Sequence, residues 1–162
     1  MATVIYVAEV NQYAPLALDS IITNSATISG GGVTEVVVTE TVTADADAEL
    51  TIAKCISPAV VTENGQLTYT FTIQNIGNVP INATDSVTVT DVFNPILTGL
   101  NVTFNGTVWT EGVNYTYSET TGEFATNLSQ ITVPAATYTQ DPTTGVWVVE
   151  PGVSVLVVSG IV

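Results

Sequence analysis

The chain carries 162 residues, only 10% of them charged, and sets 15 acids against a single base for a formal charge of −14. That balance repels nucleic acid and anionic membrane surfaces, and it excludes both as expected partners. The single base is Lys54, so the chain has neither His nor Arg; most nucleophilic and acid–base constellations are thereby excluded, and no enzyme activity is expected.

Thr3 to Val10 (TVIYVAEV) is a strand-like run with apolar residues on both faces, interrupted by Asn11-Gln12-Tyr13-Ala14-Pro15. It reads as an extra strand that docks on another subunit. Met1-Ala2-Thr3-Val4 has no basic n-region and no cleavage motif, so no secretory signal is expected in this chain. In Ile21 to Ile28, the residues Ile22, Asn24, Ala26 and Ile28 share one parity. Gly30-Gly31-Gly32 then supplies a hairpin turn, because glycine reaches positive φ without steric cost. Val33 to Val42 predicts a second strand, and Ala44-Asp45-Ala46-Asp47-Ala48 reads as an acidic hinge of small residues.

From Leu50 to Asp91 the alternation is strict. Leu50, Ile52, Lys54 and Ile56 share a parity, as do Leu67, Tyr69, Phe71 and Ile73, and again Val87, Val89 and Asp91. The intervening positions are mostly Thr, and β-branched side chains sit well on a pleated surface. Glu63-Asn64-Gly65 and Gly77-Asn78-Val79-Pro80 fall where turns belong. Further strand-length runs follow at Ile96 to Phe104, Val108-Trp109, Val113 to Tyr117, Gln130 to Val133, Val146 to Val149 and Val153 to Val158. No long segment keeps a helical period, and no apolar run is long enough to cross a membrane. The expected fold is all-β.

Leu50-Thr51-Ile52-Ala53-Lys54, Ser57-Pro58, Tyr69-Thr70-Phe71-Thr72-Ile73, Asn75-Ile76-Gly77-Asn78-Val79-Pro80 and Val87-Thr88-Val89-Thr90-Asp91 together resemble the DUF-eleven conserved-repeat domain. The resemblance covers residues 50 to 92 best. It implies an Ig-like β-sandwich, of the kind found in tandem in bacterial and archaeal surface proteins, and it implies no catalytic activity. In the tandem pattern a unit opens with an LTIxK strand and closes with PGxSV, ITNxATVxG and a VxVTxTV strand. Here the pieces are rotated. The chain runs out at Pro151-Gly152-Val153-Ser154-Val155 through Val162, while the continuation Ile22-Thr23-Asn24-Ser25-Ala26-Thr27-Ile28 through Val42 stands before Leu50.

Two arrangements satisfy this order. Residues 1–48 form an N-terminal extension, and its strands either close their own sandwich of residues 49–162 or complete that of a neighbouring copy. An incomplete sandwich exposes unpaired backbone and an apolar groove, which a donated strand satisfies together. Ala44 to Glu49 reaches at most ~20 Å at ~3.3–3.6 Å per residue, which favours donation to a neighbour. Donation is head to tail and generates an open filament of identical copies unless it closes into a ring. Burying Ile22, Ala26, Ile28, Val36, Val38 and Val42 would gain on the order of 10 kcal/mol before entropy costs. A mean hydropathy of +0.43 in so lightly charged a chain also implies apolar burial beyond one isolated subunit.

Candidate chemistry is sparse. Asp45, Asp47 and Glu49 offer hard oxygen ligands for calcium, but their spacing fits no binding loop, so neither a metal nor a cofactor is expected. Lys54 shares the inward face with Leu50 and Ile52, while Asp91 and Asn75 have inward parity in their own strands. Two readings follow: Lys54 snorkels and pairs with Asp91, or a lysine held out of water beside a carboxyl or carboxamide forms an isopeptide bond. Cys55 has the opposite parity and, as the lone cysteine, can form a disulfide only between two chains. Asn82, Asn101, Asn105, Asn114 and Asn127 begin N-x-Ser/Thr sequons.

The function expected is that of a structural subunit of an extracellular or spore-surface, pilus-like filament assembled by strand donation. The alternative is a monomeric, strand-permuted adhesion or carbohydrate-binding module, with Trp109, Tyr115, Tyr117 and Trp147 as its candidate platform.

Overall fold

Runs of Val, Ile and Thr in alternation with other apolar residues build twelve strands and no α-helix in the computed structural model, which describes residues 3–162. In chain order these are β1 (Ile21–Gly30), β2 (Val33–Thr43), β3 (Leu50–Ser57), β4 (Gln66–Asn75), β5 (Thr90–Val92), β6 (Thr98–Phe104), β7 (Thr107–Trp109), β8 (Tyr115–Tyr117), β9 (Glu123–Thr126), β10 (Thr137–Gln140), β11 (Trp147–Glu150) and β12 (Gly152–Ile161). The fold is all-β, with four antiparallel sheets. The chain divides into two compact units. One runs to Ala46 and includes Thr137–Glu150; the other comprises Asp47–Ala136 and Pro151–Val162.

In the first unit β1 and β2 pair only with each other, turning at Gly30, Gly31 and Gly32, whose φ angles of 104°, 59° and 79° lie where an L side chain is strained. β10 and β11 form the second hairpin of this unit. Its turn is fastened by Asp141, whose Oδ1 accepts from the amides of Thr143 (2.7 Å) and Thr144 (3.1 Å). Those donors hold the carboxyl below its ordinary range.

The second unit stacks a five-stranded sheet, ordered β3-β4-β12-β6-β7, on a three-stranded sheet, ordered β5-β9-β8. Leu67, Tyr69, Phe71 and Ile73 of β4 are buried, and so are Leu156 and Val158 of β12, Val102 and Phe104 of β6, and Phe124 of β9. Phe93 lies at the centre, stacked on Tyr69 at 4.6 Å and packed against Phe124 at 5.4 Å. This is a sandwich-like body with an aromatic core.

β3 and β4 form where the alternation predicts them and pair from Leu50↔Asn75 to Ser57↔Thr68; β4 buries its inward residues, whereas β3 is exposed from Thr51 to Ser57. Elsewhere the expected strands change. Thr3 to Val10 forms no strand, since it has no ladder partner, and Val4, Ile5 and Val7 are almost fully exposed. Gln130 to Val133 contributes a single bridge, Val133 to Ile81. The strand expected from Val87 begins only at Thr90, because the amide of Val89 donates to the Thr126 hydroxyl (2.9 Å) rather than to a backbone carbonyl.

Candidate functional site

β3 is an edge strand, and its inward face carries the main structural anomaly. Ile52 and Ile56 stand opposite the buried Ile73 and Tyr69 in register and share their core-facing side. Yet Ile52 is 57% and Ile56 52% exposed. The smaller sheet ends at β5 and leaves this part of the larger sheet uncovered. A shallow cleft of about 160 Å³ opens between the two sheets at this edge, lined by Leu50, Ile52, Ile73, Val87 and Val89. Apolar side chains on the inner face of a sheet normally have a facing layer. Here part of that layer is missing.

Midway along the same edge, Lys54 hydrogen-bonds to Asp91 Oδ2 and so joins β3 to β5. The Lys54 ammonium lies 4.6 Å from the centre of the Tyr69 ring and 5.6 Å from those of Phe71 and Phe93. A cation over ring faces is attracted by their quadrupoles. Burial, and then the nearby charge of Asp91, push the Tyr69 phenol up from its ordinary value. The ion pair expected between Lys54 and Asp91 is present.

Asn75 does not join this pair. It stands opposite Leu50, whereas Lys54 stands opposite Phe71, four residues down the strand. Buried Asn75 instead organises backbone: its Oδ1 accepts from the amides of Glu49 (3.1 Å) and Gly77 (3.0 Å), and its Nδ2 donates to the carbonyls of Val79 (2.7 Å) and Pro134 (3.2 Å). Asp47 is also fastened here, donating from its amide to Asn78 Oδ1 (2.9 Å) and accepting from Val79 (3.0 Å). The predicted hinge is therefore shorter than its sequence, because Asp47 to Glu49 are bound to the turn after β4. A Cβ on Gly77 would collide with the backbone of Asp47 and Ala48, so this close approach requires glycine.

The hairpin of the first unit gathers all six predicted donor residues. The register Ile22↔Val42, Ala26↔Val38 and Ile28↔Val36 sets them on one face, since paired positions two apart along a ladder point the same way. The opposite face carries Thr23↔Thr41 and Ser25↔Thr39, with the Ser25 and Thr39 hydroxyls 2.8 Å apart. Ala8, Val10, Tyr13 and Ala14, with Glu9 and Asn11, line a largely apolar pocket together with Ile22 and Val42 at the base of this face. Ala26, Ile28, Val36 and Val38 are exposed toward its tip.

The remaining candidates separate clearly. Cys55 is exposed, with its side chain on the outer face of β3. No group of three or more potential metal-ligating side chains forms among the described residues, so Asp45, Asp47 and Glu49 do not converge. Trp109 and Tyr115 are buried in the core, Trp109 stacked on Phe104 at 4.9 Å and Tyr115 on Phe124 at 5.4 Å. Tyr117 is half-buried and exchanges hydrogen bonds of 2.9 Å with the Leu97 amide and carbonyl. Only Trp147 stands outside that core. Trp109 and Tyr115 therefore present no exposed ring to a sugar.

No family model matches the chain, and no curated protein or solved structure matches it.

Proposed function

We propose that this protein is the structural subunit of an extracellular or spore-surface filament. Its body is an Ig-like β-sandwich that lacks closing strands, and each copy polymerises head to tail by donating its β1–β2 hairpin to the next. The observation that carries this reading is the uncovered inner face of β3, where Ile52 and Ile56 lie exposed on the core side. The hairpin supports it with a ribbon of two strands, without a third, one face of which carries Ile22, Ala26, Ile28, Val36, Val38 and Val42 around a single polar pair, Asn24 and Glu40, while the other is richer in hydroxyls. Two-stranded hairpins are marginal alone in water, whereas a hairpin laid over a core gains both backbone pairing and apolar burial. Donation of the hairpin to the body of a neighbouring copy rather than to its own would make the contact heterologous, and a heterologous contact that does not close into a ring propagates.

Negative-stain electron microscopy tests the proposal. The full-length protein should form filaments, while a chain beginning at Ala46 should stay monomeric. Substituting Ile28→Glu and Val36→Glu together, which charges the donor face without shortening the chain, should also abolish filaments while leaving the body folded by circular dichroism. Monodisperse full-length protein under all assembly conditions would overturn the reading.

A further inference from the structure

The one cation of the chain is not placed like an ordinary surface lysine. Lys54 comes from β3 in the larger sheet and Asp91 from β5 in the smaller, and their direct contact is the only ion pair among the described residues. Its ammonium is backed by the rings of Tyr69, Phe71 and Phe93, and the Lys54 and Asp91 side chains are 35% and 18% exposed. Asp91 divides its two oxygens between different partners. Oδ2 faces the lysine, while Oδ1 accepts from the Val92 amide at 2.9 Å.

We propose that Lys54 and Asp91 condense to an intramolecular amide that covalently joins the two sheets. The step needs no co-reactant. The lysine ammonium passes one proton to Oδ2, giving a neutral amine beside a neutral carboxylic acid. Nζ then attacks Cγ, and the negative charge of the tetrahedral intermediate develops on Oδ1, where the Val92 amide already points. Preorganised donors aimed at a developing oxyanion lower such barriers most where water is excluded. A second proton leaves Nζ for the Oδ2 hydroxyl, which departs as water, and the carbonyl re-forms on Oδ1. One N–C bond forms, one C–O bond breaks, and no atom changes oxidation state overall. Two rigid strands hold amine and carboxyl together, giving a high effective concentration, and the rings on the inner side keep part of the solvent away. The amide removes both charges and so relieves the partial desolvation cost of keeping an ion pair at this position. Both residues belong to the body, so the amide can form in a monomer as in a polymer.

Mass spectrometry of the denatured full-length protein decides it. The expected intact mass is lower than the sequence mass by one water. Both Asp91→Ala and Lys54→Met should restore the full mass, whether or not these variants fold well. Trypsin gives a second readout, because Lys54 is the only site in the chain at which it can cut. The denatured wild-type chain should resist cleavage, whereas Asp91→Ala should split into two fragments. A wild-type protein of full sequence mass overturns the proposal. So does a water deficit that persists in either variant, which would place the lost water elsewhere.

Discussion

Asn75 shows how much one polar side chain can organise. It ends β4, is buried, and satisfies two amides and two carbonyls from three separate segments. Replacing it with Ala leaves those buried backbone groups without partners, each of which carries a desolvation penalty. Asn75→Ala is expected to lower stability by roughly 2–4 kcal/mol in urea denaturation, and Asn75→Asp, which turns a carboxylate oxygen toward the two carbonyl oxygens at a fully buried site, by at least as much. The sequence showed that Asn75 has inward parity but not that its side chain is fully engaged by the Ile76-Gly77-Asn78-Val79-Pro80 turn beside it. Parity places a residue on a face and says nothing of its neighbours four residues along the strand, so Asn75 read as a potential partner of Lys54. The Lys54–Asp91 contact was legible because both residues have inward parity in their own strands and Lys54 is the one cation available to a carboxylate. Tyrosine supplies a second prediction at this scale. Burial pushes the phenols of Tyr69, Tyr115 and Tyr117 up from 10.0. A phenol whose folded value is raised stabilises the fold fully below its unfolded value, and that contribution is lost as pH rises through the folded value. Denaturation midpoints should therefore fall as pH rises above 10, in step with late, cooperative ionisation of these phenols followed by ultraviolet absorbance.

At the scale of elements, the strands legible in the sequence are those whose alternation is reinforced by pairing on both sides. β4 is the example: it lies between β3 and β12, and its buried positions are those that share the parity of Leu67. The hairpin β1–β2 was equally legible, because three glycines fix its turn and the register then follows from strand length. Thr3 to Val10 has as strong a strand composition and forms none. β-propensity describes the fit of side chains to a pleated, half-buried surface, and without an adjacent backbone that surface does not exist. The reverse error occurs at β10, where Thr137 to Gln140 carries little apolar signal. Its strand is imposed by pairing with β11 across a turn that Asp141 fastens. The uncovered Ile52 and Ile56 belong to this scale too. Their parity was readable from the sequence, but that the smaller sheet stops short of them is a property of the topology.

For the whole molecule, the formal charge of −14 sets the conditions under which copies can meet. Every copy repels every other, since one lysine offers almost no positive surface to steer an approaching neighbour. If the hairpin of one copy covers the inner face of β3 in the next, the attraction is apolar and acts only at contact, while repulsion acts at longer range. Salt separates the two. The screening length falls from about 30 Å at ~0.01 M ionic strength to about 8 Å at ~0.15 M, whereas hydrophobic burial is not weakened by that change. Filament growth followed by light scattering should accordingly be slow at low ionic strength and accelerate as salt is added. Lowering the pH toward the sequence isoelectric point of about 4.1 should have the same effect without added salt, because it removes the repulsion at its source. The Ile28→Glu, Val36→Glu variant should not respond to salt, since screening cannot restore an apolar face, whereas acid should rescue it in part by protonating the introduced carboxyls, whose ordinary pKa is about 4.3. Filament growth that slowed on adding salt would instead mean that ionic contacts hold the copies together, an arrangement for which a chain with one cation has almost no means.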